Sequence, residues 1–204
     1  MITHKNLINH LIHTSAMYSQ NIIEAFTNID RVNFVLNPHD TDVYADHPLP
    51  IGFGQTISQP STVAMMLEML QPKEGQKILD IGSGSGWTTA LLAYIVGEKG
   101  SVTGLERVNY LVKYGNDNIK KYGFKNAKII QATNKLGLKG ETFDRILVSA
   151  TAKEFPLKLT EQLNIGGRLV IPIKNSIYEI TKNEAGELEG IEHYGFTFVP
   201  LIFS

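Results

Sequence analysis

From residue 62 onward, short apolar runs alternate with segments of helical periodicity, and this alternation restricts the fold more than any other feature of the chain. A helix over residues 62–70 leads into "KILDIG", a helix through "TTALLAYIV", "SVTGLE", a helix through "NYLVKYGNDNIKKYG", "AKIIQA", "DRILVSA", a helix near "PLKLTEQL" and finally "GRLVIPI". Strands separated by helices of about ten to fifteen residues pair in parallel, in a sheet covered on both faces. The expected architecture is therefore α/β, with a doubly wound, mostly parallel sheet. Residues 178–203 add strand-like runs broken by "KNEAGELEG", which reads as a hairpin turn.

The first 61 residues read differently. Leu7, Leu11 and Ile12, then Ile22, Ile23 and Phe26, recur at helical spacing, which predicts two helices or one interrupted helix as an N-terminal extension. Residues 32–61 contain four prolines and two glycines, which spoil both helical and strand periodicity. Long loops inside compact domains are usually functional or disordered. Phe34, Val35, Tyr44, Leu49, Ile51 and Phe53 argue for order, because disordered segments are poor in such residues. The 204 residues suit one domain, with helices and a substrate loop in 1–61 and the cofactor-binding α/β core in 62–204.

Composition removes several functions. Nineteen basic and twenty acidic residues leave a net charge of −1, so no basic surplus recruits nucleic acid or an anionic membrane. The absence of cysteine excludes disulfides, thiolate nucleophiles and sulfur-ligated zinc, and accords with a cytoplasmic setting. The N-terminal "MITHKNLINHLIHTSAM" mixes His, Asn and Lys into its apolar positions and reads as neither a signal peptide nor a membrane span.

The stretch "ILDIGSGSGWT" carries the chemistry. In a doubly wound sheet the first strand delivers its loop to the carboxyl edge, where ligands bind. Gly82, Gly84 and Gly86 permit a sharp turn and let a ligand approach backbone N–H groups without an intervening Cβ. A P-loop needs Lys and Ser/Thr after the last glycine, and Trp87 and Thr88 stand there instead. A dinucleotide site prefers G-x-G-x-x-G, and Asp80 would repel a pyrophosphate. The acid suits S-adenosylmethionine, which has no phosphate and carries a sulfonium and an amino group. Glu106, ending the next strand, is placed to accept hydrogen bonds from both ribose hydroxyls. A packing turn with Asp80 and Glu106 as helix caps is the plain alternative.

These residues carry a family resemblance. "YADHPLPIGFGQTISQPSTVAMMLEML", "ILDIGSGSGWTTALLA", "DRILVSATA", "EQLNIGGRLVIPI", "AFTNIDRVNFV" and "FVPL" together resemble the protein-L-isoaspartate O-methyltransferases over about residues 21–201. The "PLPIGFGQTISQP" run is the specific part, since the glycine loop is common to many methyltransferases. The resemblance implies a Rossmann-like class I methyltransferase that esterifies the α-carboxylate of isoaspartyl residues in damaged proteins. The ester would then cyclise to a succinimide that can reopen to aspartate. It further implies a catalytic Ser58, substrate contacts from Ile57, Ser58, Gln59, Val170 and Ile171, and cofactor contacts from Asp80, Gly82, Ser83, Gly84 and Glu106. The family's Thr-Ala-Ala segment falls on Ser149, Ala150 and Thr151. Where family members typically have Gly-Asp-Gly, facing the adenine amino group, this chain has Ala132, Thr133 and Asn134, so Thr133 and Asn134 are the expected replacements. Ser61 replaces the aromatic residue often found after Gln-Pro.

The chemistry is consistent with this implication. A carboxylate acceptor, with a reference pKa near 4, is already ionised at neutral pH and needs no general base. Neither "GQTISQP" nor the glycine loop contains a histidine. What remains is alignment and exclusion of water, a proximity effect. His10 and His13 share a helix face without a third ligand and read as solvated or packing residues, so no metal site is expected. His47 either touches substrate or packs, and Trp87 either borders the cofactor or packs on the helix it begins. Two alternatives are a different acceptor and a non-catalytic relative acting as an interaction module, and cofactor titration separates the latter.

Overall fold

A computed structural model describes residues 2–202. Two helices open the chain, α1 (His4–His13) and α2 (Gln20–Asn28), so the N-terminal periodicity resolves into two elements. Thr3 and Asn6 cap α1 reciprocally, side chain to backbone in both directions. The start of α2 is capped from outside, by Glu68, whose buried Oε1 accepts from the N–H groups of Tyr18 and Ser19, both at 2.7 Å.

Residues 32–61 are more structured than expected. A 3₁₀ turn over Arg31–Phe34 leads to a short antiparallel hairpin of β1 (Leu49–Gly52) and β2 (Gln55–Ile57). Gly52, Phe53 and Gly54 at its tip all have positive φ. The hairpin escapes pattern reading because β1 carries Pro50 and β2 spans only three residues. The next helix, α3 (Pro60–Leu70), starts two residues before the expected boundary, with Pro60 in its first turn, where its missing N–H costs nothing.

The core follows as β3 (Lys77–Ile81), α4 (Trp87–Val96), β4 (Ser101–Glu106), α5 (Asn109–Lys120), β5 (Ala127–Gln131), β6 (Phe143–Val148), α6 (Leu157–Thr160), β7 (Leu163–Ile173), β8 (Ser176–Lys182) and β9 (Leu188–Tyr194). The sheet order is β5-β4-β3-β6-β7-β8-β9, with β7–β8 and β8–β9 paired antiparallel beside an otherwise parallel array. The chain winds outward from β3 to β5, then returns to place β6 on the other flank of β3. The crevice beyond the carboxyl ends of β3 and β6 is thus the topological switch point.

The two faces are covered unequally. Ile78, Leu147 and Val170 pack beneath α3, α4 and α5, and α1 and α2 extend the same apolar cluster. On the opposite face Leu79, Ile146, Val148 and Leu169 cluster with Leu159 of the four-residue α6 and with loop residues such as Leu136 and Leu138. The doubly wound, mostly parallel sheet is as expected, with one short helix, α6, on this second face. The β5–β6 connection turns at Gly137 and Gly140, both at positive φ, and the helix near "PLKLTEQL" stops because Leu163 already belongs to β7. The "KNEAGELEG" turn closes as expected, with Asn183 N–H donating to Glu187 O at 2.9 Å. Residues 195–202 form no strand beyond a bridge between Thr151 and Pro200, and Phe203 lies outside the described residues.

Candidate functional site

The glycine loop leaves β3 at the switch point. Gly82 and Ser83 N–H groups donate to Leu105 O at 2.8 and 3.2 Å, which ties the loop to β4. Two glycines are required sterically. Gly86, at φ 92°, sits so close to α5 that a Cβ would lie 3.0 Å from Gly115 O. Gly84, at φ 53°, would bring a Cβ 3.1 Å from Ile51 Cδ1, because the β1–β2 hairpin lies over the loop. From α5, Asn118 Nδ2 donates to Ser85 O at 2.9 Å.

Both predicted acids reach this loop. Asp80 points beneath the first turn of α4, fully buried, and its Oδ2 accepts from the hydroxyls of Thr88 (2.8 Å) and Thr89 (2.6 Å). Its Oδ1 is buried with no hydrogen-bond partner among the described residues. Burial pushes this carboxyl up to about 6; the two threonines oppose the rise and the Glu106 charge adds to it. Glu106 is buried too, with Oε2 accepting from Gly84 N–H at 2.9 Å and Oε1 from Val108 N–H at 2.8 Å. A carboxylate has about four acceptor positions, so Glu106 retains capacity for ligand hydroxyls. An unpaired buried oxygen and a spare acceptor together fit a ligand bearing both an amino group and hydroxyls.

Two cavities meet beside the loop. The first is lined by Ile57, Val63, Gly82, Gly84, Trp87 and Thr88 among others. The second, a groove of about 330 Å³, runs past Pro48, Gln59, Thr62 and the tail residues Thr197, Phe198 and Val199. Thr56, Ser58 and Ser149 line both. Among the described residues, no Asp, Glu, His, Lys, Arg or Tyr side chain lines either cavity. The tail forms its wall through Thr151, whose N–H donates to Val199 O and whose O accepts from Leu201 N–H, both at 2.8 Å.

The segment carrying Ser58 is held from two sides. Arg31, only 1% exposed, donates to four carbonyls, those of Val43, Ala45, His47 and Ser58. Asp46 accepts from Ser61 N–H at 2.9 Å and from Gln59 Nε2 at 3.3 Å. Sequence reasoning missed Arg31, Thr56 and the tail wall. Thr56 stood in plain view in "GQTISQP", whereas Arg31 acts only on backbone groups and leaves no pattern.

The structure thus brings together Ile57, Ser58, Gln59, Gly82, Ser83 and Gly84 at the cavities, with Asp80 and Glu106 beneath the loop. Ser83 contributes backbone there, since its hydroxyl is turned inward to Asp80 O at 3.0 Å. Thr133 and Asn134 lie exposed just past β5, on the edge shared with Glu106, where Ala132 N–H donates to Glu106 O at 2.8 Å. Val170 and Ile171, expected to contact substrate, are fully buried in β7, whose backbone pairs with β6 on one side and β8 on the other. Neither residue is among those that line the two cavities. Trp87 packs edge-on against Phe26 at 5.4 Å and is 3% exposed, and it also lines the first cavity. His47 is exposed, its Nδ1 3.0 Å from Pro48 O.

Comparison with known proteins extends the picture. The family model described as protein-L-isoaspartate(D-aspartate) O-methyltransferase matches residues 2–203. The protein-L-isoaspartate O-methyltransferase of Pyrococcus abyssi is 38% identical, over 97% of this chain and 94% of its own. That of Fervidobacterium nodosum is 41% identical, over 90% and 94%. A Plasmodium falciparum beta-aspartate methyltransferase, crystallised in complex with S-adenosyl-L-homocysteine, superimposes with a TM-score of 0.87 at 30% identity, covering 98% of this chain and 99% of that one.

Proposed function

Because the chain belongs to the protein-L-isoaspartate O-methyltransferase family, we propose that it methylates the α-carboxylate of L-isoaspartyl residues in damaged proteins, using S-adenosylmethionine. When bound, that cofactor supplies a methyl group on a cationic sulfur. The observation that carries the reading is the meeting of the glycine-loop cavity and the groove at Thr56, Ser58 and Ser149.

The residues present fit the cofactor. The unpaired Oδ1 of Asp80 suits an amino group, and Glu106 keeps acceptor capacity for two ribose hydroxyls. Thr133 and Asn134 are proposed for the adenine edge, in place of the family's aspartate. The groove suits an isoaspartyl chain, with hydroxyl and amide donors from Ser58, Gln59 and Thr62. The lack of acids and bases in both linings, among the described residues, matches the acceptor, since an ionised carboxylate needs alignment and not deprotonation. Ser58 donates from its hydroxyl, which has no hydrogen-bond partner among the described residues, to one carboxylate oxygen and so aims the other. The proposed compartment is the cytoplasm, with neither nucleic acid nor membrane as a partner.

Ser58→Ala tests the site. One hydrogen bond to a charged group is worth about 1.5–3 kcal/mol, so kcat/KM for an isoaspartyl peptide falls roughly 10- to 150-fold. Affinity for S-adenosylhomocysteine stays unchanged. Full activity in Ser58→Ala would remove Ser58 from the mechanism.

A further inference from the structure

We infer that Arg31 is the positioning residue of the reaction, a buried guanidinium that shapes the substrate loop and sets the place of Ser58 by gathering four carbonyls around one rigid fork. The inference rests on the proposed role of Ser58 and assigns what holds that residue in place.

The geometry is specific. Nη1 donates to Val43 O (3.1 Å) and Ala45 O (3.0 Å), and Nη2 to His47 O (2.9 Å) and Ser58 O (3.2 Å). Three acceptors are alternate residues, so the chain curls around the guanidinium before the β1–β2 hairpin. The fourth belongs to Ser58, after the hairpin. One side chain therefore closes the loop that begins and ends at the groove. The planar fork allows this, and a lysine ammonium with three donors cannot reproduce it.

The same side chain reaches the cofactor side. Its Cζ lies 5.5 Å from the ring centroid of Trp87, the first residue of the helix that follows the glycine loop. Burial lowers the Arg31 pKa to about 10, which leaves it cationic at neutral pH. Its countercharge is Asp46, whose carboxylate fixes Gln59 and Ser61 from the other side.

Arg31→Lys is compared with Arg145→Lys, which alters a buried arginine bonded to Gln71 O, Asp144 O and Gly166 O, away from both cavities. Hydrogen exchange, S-adenosylhomocysteine affinity and steady-state kinetics on an isoaspartyl peptide are measured for both. Arg31→Lys is expected to speed amide exchange across residues 43–61 at least tenfold and to lower kcat about 30-fold at saturating peptide, with ligand affinity within threefold of wild type. Arg145→Lys is expected to melt earlier and keep kcat within twofold. Unchanged exchange across 43–61, or a kcat within twofold, in Arg31→Lys would overturn the inference. If Arg31→Lys does not fold, Asp46→Asn, at the half-buried side of the same clamp, carries the test: faster exchange at residues 59–62 with a three- to tenfold lower kcat supports it, and wild-type values of both oppose it. Exchange needs no turnover, so a wild type inactive on isoaspartyl peptide would count against the proposed function, while the exchange rates would still decide whether Arg31 holds the loop.

Discussion

Asp80 is held in a state that destabilises the ligand-free protein, and Asp80→Asn should reveal by how much. The folded-state pKa stands at about 6 against an ordinary 3.8, because the carboxylate is fully buried. At about 1.4 kcal/mol per pKa unit, keeping it ionised near pH 7.5 costs about 3 kcal/mol. The sign follows from the raised value: the cost is absent below pH 3.8, grows as pH rises, and is complete above about 6. Asparagine can accept from Thr88 and Thr89 through its carbonyl oxygen as Oδ2 does, and leaves one unpaired atom where Oδ1 was unpaired already. A net gain of about 1–3 kcal/mol follows, or roughly 3–10 °C in Tm for a chain of this size. At pH 5 the gain falls to about half, and near pH 4 it all but vanishes. Scanning calorimetry of both proteins at pH 7.5, 5 and 4 measures this directly. The same substitution removes a charged partner for the cofactor, so S-adenosylhomocysteine should bind about 10- to 150-fold more weakly. An Asp80→Asn protein no more stable than wild type at pH 7.5, with a pH-independent difference, would refute the claim that this carboxylate is ionised at a cost.

Other substitutions probe the loop from different sides. Gly115→Ala puts a Cβ 2.6 Å from Ile129 Cδ1 and 3.2 Å from Gly84 O, so it should cost about 1–3 kcal/mol in stability and weaken cofactor binding, read by thermal melts and titration calorimetry. Glu106→Gln turns an amide NH₂ toward either Gly84 or Val108 N–H, and should lower cofactor affinity about tenfold or more while costing about 1–3 kcal/mol. An unaltered Kd in Glu106→Gln would mean that this carboxylate serves the loop alone.

What could be read from sequence was what repeats at short range. "KILDIG" and "SVTGLE" announced their strands through apolar runs bounded by turns, and the glycine loop with its two acids fell where strand–loop–helix order puts it. The β1–β2 hairpin stayed hidden because its strands are four and three residues long and one contains proline. The thin second face was hidden for another reason: "PLKLTEQL" has helical spacing, but β7 claims its last residue through pairing with β6. Val170 and Ile171 were placed at the site by resemblance; their side chains are buried in β7, so any substrate contact they make is through backbone, which a side-chain pattern does not reveal. Arg31 bonds to carbonyls 12 to 27 residues away, and backbone acceptors carry no residue identity to recognise. Gly115 likewise matters through contact with a loop about thirty residues earlier in the chain.

The central claim is that the two cavities serve methyl transfer to an isoaspartyl carboxylate. Its most direct test is transfer of labelled methyl from S-adenosylmethionine to two peptides that differ only in an isoaspartyl or an aspartyl linkage. Label on the isoaspartyl peptide, as a base-labile ester, and none on its aspartyl twin is the predicted result. Equal label on both peptides, or none on either from a protein that binds the cofactor, would contradict it.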